Sequence, residues 1–235
     1  LIAFHDLYLM QFLYKYTEIL DENEIEYDVV YWEREKEAKI VRPFNGNIIR
    51  YSFQTSYYGS KLAKVKGYLL YIAFVRKVLD EGAYDKAILF TTQAALPMYL
   101  FSSKVRKQIR YIYDYRDLTY EKNPVLKKII KKIIDSSYFT AISSLGFKEV
   151  LGDNEKLIMS HNCSEGLVFC PVKKESGEKI RIVYWGMVRQ ADFNRRLIDL
   201  FGNDSRFEVV YHGAGQTEEL EKYCDEIIHW LKKGE

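Results

Sequence analysis

Two short polar pairs follow apolar, strand-like runs of the chain. His5 and Asp6 come directly after the first run, and Arg116 and Asp117 end another. A histidine of near-neutral pKa contacts substrates and handles protons, while an arginine beside an aspartate supplies a donor fork and an acceptor, which suits recognition of sugar hydroxyls. The alternatives are a plain turn for the first pair and an ion pair that fixes a loop for the second.

Two further polar pairs are candidates for a cleft. Ser143 and Ser144 follow the run Tyr138–Ile142, and they either face the cleft or cap the next helix. His161 and Asn162 precede a polar stretch, and the asparagine either lines the cleft or stabilises its own turn. No metal site is expected, because the three cysteines form no CxxC pair and no DxD-type motif is present.

Apolar runs that alternate with helical stretches must position these side chains, and they predict an α/β fold with a mostly parallel sheet covered on both faces. The predicted strands are Leu1–Phe4, Tyr27–Trp32, Ile48–Phe53, Lys86–Phe90, Ile109–Tyr113, Tyr138–Ile142 and Lys156–Met159. The predicted helices are Leu9–Leu20, Lys61–Leu79, Ala94–Ser103, Pro124–Asp135 and Leu145–Leu151. In open sheets of this class, ligands collect at the carboxyl ends of the strands.

A polar stretch from Pro171 to Lys179 interrupts the pattern, which then starts again. The second part predicts, in order, strand Ile180–Trp185, turn Gly186–Ala191, helix Asp192–Phe201, strand Phe207–Tyr211, turn Gly213–Gly215 and helix Thr217–Cys224. Two βα units are too few to close a stable domain. We therefore expect a Rossmann-like domain over 1–172, a linker over 173–179, and the beginning of a second Rossmann-type domain over 180–235.

Composition limits the classes of function. The 35 basic residues nearly balance the 33 acidic ones, and a net charge of +2 gives no whole-molecule field that attracts nucleic acid. The odd number of cysteines favours a reducing compartment. The longest apolar run, Gly67–Val75, is far shorter than the roughly 20 residues that cross a bilayer, and no basic segment precedes the first run. We expect a cytoplasmic protein without a signal peptide.

One predicted helix, within the segment KNPVLKKIIKKIID, has two distinct faces. Its apolar residues fall on one side of a helical wheel, and its lysines fall on the other: Lys127, Lys128, Lys131 and Lys132. Either the apolar side packs on the sheet and the lysines are solvated, or the helix attaches the protein to an anionic membrane surface. The segment Lys61–Lys77 also mixes cationic with aromatic residues, so it is a second candidate for attachment to a membrane.

The order of these segments resembles the GT-B glycosyltransferases, specifically the large retaining group that builds bacterial surface polysaccharides. The resemblance covers nearly the whole chain and rests on Phe4–Asp6, Tyr113–Asp117, Thr140–Ser144, His161–Asn162, Tyr184–Gly186 and Tyr211–Gly215. It implies a GT-B-like pair of Rossmann-type domains. Acceptor would bind in the first half and nucleotide sugar mainly against the second, with reaction in the cleft between them.

The resemblance also implies residues of a donor site. Gly186 would allow the backbone to approach the donor diphosphate closely. Arg189 would offer a forked cation to the diphosphate, and Asn194 would add a polar contact. Gly213 and Gly215 resemble a second glycine-containing turn, which lies near the nucleotide in the family.

Two departures from the family pattern affect this assignment. Met187 stands where the family often has an arginine, so the cation is assigned to a neighbouring position. The paired glutamates of the family have no match, which indicates a truncated second half.

The resemblance therefore implies a retaining, metal-independent glycosyltransferase that needs no cofactor. It would move a sugar from a nucleoside diphosphate sugar to a lipid-linked or oligosaccharide acceptor in surface or capsular polysaccharide synthesis. One alternative is a nucleotide-sugar epimerase, which shares the two-lobed fold. The other is a non-catalytic binding or scaffold subunit of a polysaccharide-assembly complex, which the two departures favour.

Overall fold

A computed structural model describes residues 1–34, 42–55, 60–161, 179–188 and 191–215 of the 235-residue chain. The chain forms two compact units, Leu1–Glu165 and Gly166–Glu235. Nearly all of the predicted linker, 173–179, lies outside the described residues. The predicted domain bounds stay a prediction.

The first unit is built on a seven-stranded parallel sheet in the order β3-β2-β1-β4-β5-β6-β7. Each strand overlaps a strand predicted from an apolar run, and the predicted α/β fold class is confirmed. The strands are β1 (Ile2–Ala3), β2 (Asp28–Glu33), β3 (Asn47–Ser52), β4 (Lys86–Phe90), β5 (Arg110–Tyr115), β6 (Thr140–Ile142) and β7 (Leu157–Met159).

Helices connect these strands. They are α1 (Leu13–Glu22), α2 (Lys61–Glu81), α3 (Thr91–Phe101), α4 (Ser103–Lys107), α5 (Pro124–Ser136) and α6 (Gly146–Leu151). At α5, the Asn123 side chain accepts hydrogen bonds from the Val125 and Leu126 backbone amides, at 3.0 and 3.2 Å, and Pro124 occupies the first turn.

Alternate residues of the central strands enter two apolar cores, one on each face of the sheet. Ile2 and Phe4 pack in one core with Ala94 and Met98 of α3. Ala3 packs in the other, in a cluster that also contains buried residues of β2, β4, α1 and the segment before α1: Leu7, Met10, Leu13, Val29, Tyr31 and Phe90. Helices α1 and α3 therefore cover opposite faces.

Helix α2 is held close to the sheet by a glycine. A Cβ built on Gly67 would lie 2.6 Å from the Trp32 ring and 2.7 Å from the Phe53 ring. Trp32 is fully buried, and its indole nitrogen donates to the Phe53 carbonyl at 2.8 Å. Farther along α2, the Tyr71 hydroxyl donates to the Ala3 carbonyl at 2.7 Å, which ties the helix to the end of β1.

The second unit contains a βαβ element: strand β8 (Ile180–Val188), helix α7 (Ala191–Phe201) and strand β9 (Phe207–Gly215). The two strands are parallel and pair residue by residue, with Gly186 opposite Gly213. Val188, Ile198, Val209 and Tyr211 form its buried cluster.

Three local predictions are wrong. The segment after β1 makes a 3₁₀ turn at Leu7–Leu9 before α1 begins, because this turn directs Leu7 and Met10, three residues apart, into the core. At the predicted turns Gly186–Ala191 and Gly213–Gly215, residues 186–188 instead continue β8 and residues 213–215 continue β9, since Gly186 and Gly213 pair across the strands. The predicted helix Thr217–Cys224 lies outside the described residues.

We predict that Gly67→Ala lowers the free energy of unfolding. Alanine gains about 1 kcal/mol of helix propensity, but the added methyl group collides with two packed rings, and overpacking costs about 1–3 kcal/mol. Urea denaturation of the variant measures the balance. Gly146→Ala is the matched control, because its Cβ meets only the Ser144 hydroxyl at 3.6 Å. Equal stability of the two variants would contradict the close packing at Gly67.

Candidate functional site

The order of the strands places a crevice between β1 and β4. The chain adds β2 and β3 on one side of β1, and β4 to β7 on the other, so the direction of winding reverses there. Because α1 and α3 cover opposite faces, the segments that leave these two strands separate at their carboxyl ends. Such a switch point is where ligands bind in open parallel sheets. His5 and Asp6 leave β1 at this point, and Thr91 leaves β4.

His5 is half-buried at this edge, with its ring edge-on to Phe4 at a centroid distance of 4.9 Å. Burial and, to a smaller extent, the nearby Arg34 guanidinium lower the pKa of His5 to about 4. The imidazole is therefore neutral at physiological pH and carries one donor and one acceptor nitrogen.

Asp6 is fully buried and fixes the segment after β2. Its carboxylate accepts a hydrogen bond from the Arg34 backbone amide at 3.0 Å. The Arg34 guanidinium lies over the Phe4 and Trp32 rings, at 4.5 and 4.1 Å from their centroids. In this structure Asp6 therefore positions Arg34, and a direct role in catalysis stays a prediction.

Arg116 belongs to a buried network at the end of β5. Its Nε and Nη2 both donate to the Asp114 carboxylate, the latter at 2.8 Å, and its Nη1 donates to the Ser160 carbonyl at 2.8 Å. The Tyr16 hydroxyl donates to the same carboxylate at 2.6 Å. Burial, and then the Asp114 charge, raise the pKa of Tyr16 well above its usual value, so it remains a donor.

This network changes the expected pairing of Arg116. The Arg116 guanidinium forms a buried ion pair with Asp114, whereas Asp117, the partner considered in the sequence, is exposed. Asp114 and Arg116 are two residues apart at a strand end and so lie on one face of the strand. Ser143 joins the network through its hydroxyl, which donates to the Arg116 carbonyl at 3.4 Å.

The junction of β4 and α3 was not identified from the sequence. Thr91 has a φ of +67°, a left-handed conformation that is unfavourable for a β-branched residue. It is only 5% exposed. Its hydroxyl oxygen and the Gln93 side-chain carbonyl oxygen are buried and have no hydrogen-bond partner among the described residues. The next hydroxyl, that of Thr92, is paired with the Tyr113 hydroxyl at 2.7 Å.

The sequence does not indicate this junction, because helix α3 lacks the capping residue that usually marks the start of a helix. Strand β4 ends at Phe90 and the helix begins at Thr91, with no side-chain cap and no loop between them. The available signal was three consecutive polar residues, Thr91 to Gln93, directly after a buried strand.

The remaining cleft candidates lie near this edge or outside the described part of the chain. His161 is exposed, and its backbone carbonyl accepts a hydrogen bond from Lys15 at 3.3 Å. Ser144 accepts a hydrogen bond from the Gly146 amide at 3.2 Å, whereas the N-cap position of α6 is occupied by Leu145. Asn162 lies outside the described residues.

The glycines of the second unit meet backbone to backbone. A Cβ on Gly213 would lie 1.6 Å from the Gly186 carbonyl oxygen, and Gly186 has a φ of +134°, which only glycine adopts readily. A Cβ on Gly186 would meet no atom of the described residues within 4 Å. Gly215 ends β9. Asn194 is fully buried, and Arg189 lies outside the described residues, so their roles at a donor site stay predictions.

Helix α5 uses its apolar face within the first unit. Ile130, Ile133 and Ile134 are buried in the core, as the packing alternative for this helix requires, while Lys128, Lys131 and Lys132 are exposed. Among the described helices, none is long and apolar enough to cross a bilayer. The described residues also contain no group of three or more His, Cys, Asp or Glu side chains that could hold a metal ion.

We predict that Asp114→Asn and Asp117→Asn differ in stability. Removal of the Asp114 charge leaves the Arg116 guanidinium buried without its counter-ion, which costs about 3–5 kcal/mol. Asp117 is exposed, so its variant is expected to change the free energy of unfolding by less than about 0.5 kcal/mol. Chemical denaturation followed by circular dichroism measures both, and equal losses would show that Asp114 does not hold the strand end.

No protein-family model and no curated protein matches this sequence. Solved structures do match the fold. One assigned as a UDP-N-acetylglucosamine 2-epimerase from Listeria monocytogenes is 11% identical, with a TM-score of 0.56 over 98% of this chain and 68% of that one. A second UDP-N-acetylglucosamine 2-epimerase is 11% identical, with a TM-score of 0.50 over 100% of this chain and 68% of that one.

This likeness concerns the fold. The chain has the GT-B-like, Rossmann-type α/β architecture of these two structures, which confirms the predicted fold class. The comparisons do not support the expected assignment to a glycosyltransferase family, because these two structures are named as UDP-N-acetylglucosamine 2-epimerases.

Proposed function

We propose that this protein is an enzyme that binds a nucleoside diphosphate sugar and epimerises its sugar. The observation that carries the proposal is the junction of β4 and α3 at the switch point, where two buried side-chain oxygen atoms have no hydrogen-bond partner among the described residues. The fold that surrounds it is shared along nearly the whole chain with two structures named as UDP-N-acetylglucosamine 2-epimerases.

The polar groups of the switch point suit a sugar. Buried polar groups in native proteins nearly always have a hydrogen-bond partner. A ligand hydroxyl can supply that partner to the side-chain oxygens of Thr91 and Gln93. His5 is neutral and offers both a donor and an acceptor. Epimerisation also needs groups that remove and return a proton, and His5 and the exposed Asp117 are the candidates at this edge.

The glycines of the second unit support the nucleotide part of the proposal. No atom of the described residues lies within 4 Å of a Cβ built on Gly186, and its conformation disfavours other residues, so a diphosphate can approach the backbone there. The paired Gly213 must also lack a side chain, because a Cβ there would collide with the Gly186 carbonyl oxygen. Within the second unit, this element is therefore our candidate for binding the nucleotide.

A glycosyltransferase is the second candidate, and the order of sequence segments favours it. In that case the same donor would lose its sugar to a lipid-linked or oligosaccharide acceptor, without a metal, in polysaccharide synthesis. Epimerisation needs no acceptor, and this difference decides between the two reactions.

We predict that the protein converts UDP-N-acetylglucosamine without an added acceptor. In deuterated water, proton NMR is expected to show a second sugar nucleotide with deuterium at the epimerised carbon, because the proton exchanges with solvent during the reaction. Release of UDP only when an oligosaccharide acceptor is added would favour transfer instead. Binding without either reaction, or no binding by calorimetry, would contradict the enzyme proposal and favour a scaffold.

We also predict that Thr91→Val weakens UDP-N-acetylglucosamine binding roughly tenfold, the equivalent of one lost hydrogen bond. Valine keeps the β-branched shape, and the lost hydroxyl has no partner among the described residues, so stability is expected to change little. Calorimetry measures the affinity. Thr92→Val is the control, because it leaves the buried Tyr113 hydroxyl unpaired and should cost about 1–3 kcal/mol of stability. Unchanged affinity in the Thr91 variant would remove Thr91 from the site.

A further inference from the structure

Helix α2 exposes an apolar stripe on the side away from the core. Its inner side packs Tyr71, Ile72, Val75 and Leu79 against the sheet. On the outer side, Leu62, Val65 and Leu69 are 82%, 56% and 61% exposed. Their spacing of three and four residues aligns them over two helical turns. Three large apolar side chains in one exposed row form a surface that water solvates poorly.

The same helix is strongly cationic. From Lys61 to Leu79 the sequence contains five lysine and arginine residues and no aspartate or glutamate. Lys61, Lys66 and Arg76 are exposed together with the apolar stripe. The surface of α2 thus combines apolar side chains with positive charge, as do helices that lie in the interface of an anionic bilayer.

Helix α5, the other cationic helix, does not offer this combination. Its isoleucines are buried in the first core, and Val125 is its one strongly exposed large apolar residue in the described structure. Its lysines therefore surround no exposed apolar stripe. The exposed combination of apolar and cationic side chains is therefore found on α2 rather than on α5.

Charge also argues against a second copy of the chain as the occupant of this surface. Contact between the same α2 face of two copies would bring two lysine-bearing surfaces together. Like charges at such a contact are unfavourable. An anionic lipid surface neutralises these cations and accepts the apolar side chains at the same time.

We infer that the outer face of α2, defined by Leu62, Val65 and Leu69 with Lys61 and Lys66, binds an anionic phospholipid surface. The protein would then lie on the membrane through one helix of its first unit. This inference does not depend on the reaction that the protein catalyses.

Flotation with lipid vesicles tests the inference on the full chain. The wild-type protein is expected to float with vesicles of phosphatidylcholine and phosphatidylglycerol, and to remain below with vesicles of phosphatidylcholine alone. The triple variant Leu62→Ser, Val65→Ser, Leu69→Ser should lose roughly tenfold in recovery, and Lys61→Glu with Lys66→Glu should do the same. Circular dichroism verifies that these surface variants remain folded.

Matched controls separate this surface from the others. Val125→Ser with Leu145→Ser removes two apolar side chains of similar exposure, 64% and 65%, and Lys128→Glu with Lys132→Glu reverses two charges on α5. Both controls are expected to float like the wild type. Equal recovery of the α2 variants and the wild type would overturn the inference. So would a change from dimer to monomer in the α2 triple variant by light scattering without lipid, which would identify a second copy as the partner.

Discussion

The first unit depends on one constraint, which is that all seven strands run in the same direction. Every carboxyl end therefore lies at one edge of the sheet, and the polar residues that follow β1, β4, β5 and β6 gather there. The reversal of winding between β1 and β4 opens that edge at a single place. The packing of α2 supports the same place, because Tyr71 is bonded to the Ala3 carbonyl and Tyr68 to the Gln93 carbonyl, each at 2.7 Å.

Burial separates the residues at this edge into two groups. A buried charge needs a partner, so Asp114 and Arg116 direct their hydrogen bonds toward each other, Tyr16 and Ser160. Asp6 is committed in the same way to the Arg34 backbone. By contrast, the Thr91 hydroxyl and the Gln93 side-chain carbonyl, which have no hydrogen-bond partner among the described residues, are uncharged. An uncharged surface of this kind matches sugar hydroxyls better than it matches phosphate.

The strands and the longer helices could be predicted from the sequence. Burial requires apolar runs in the strands and apolar stripes on the helices, and both patterns can be recognised from the sequence of each segment alone. The position of His5 at a strand end followed from the same patterns. The partner of Arg116 was not predicted, although Asp114 lies two residues earlier on the same strand face. The glycines were misinterpreted for a physical reason: glycine is a turn signal in isolation, whereas Gly186 and Gly213 are needed because two backbones meet in a ladder.

Helix α2 shows why the surface could not be assigned from sequence alone. Its segment and that of α5 both alternate apolar and cationic residues, and only the packing shows which apolar side chains are used internally. Core burial takes the isoleucines of α5, whereas Gly67 and Tyr71 bring the opposite side of α2 against the sheet and leave Leu62, Val65 and Leu69 outside. Helix α2 therefore exposes this apolar row on one side. On its other side, Tyr71 and Tyr68 donate hydrogen bonds to the end of β1 and to the start of α3.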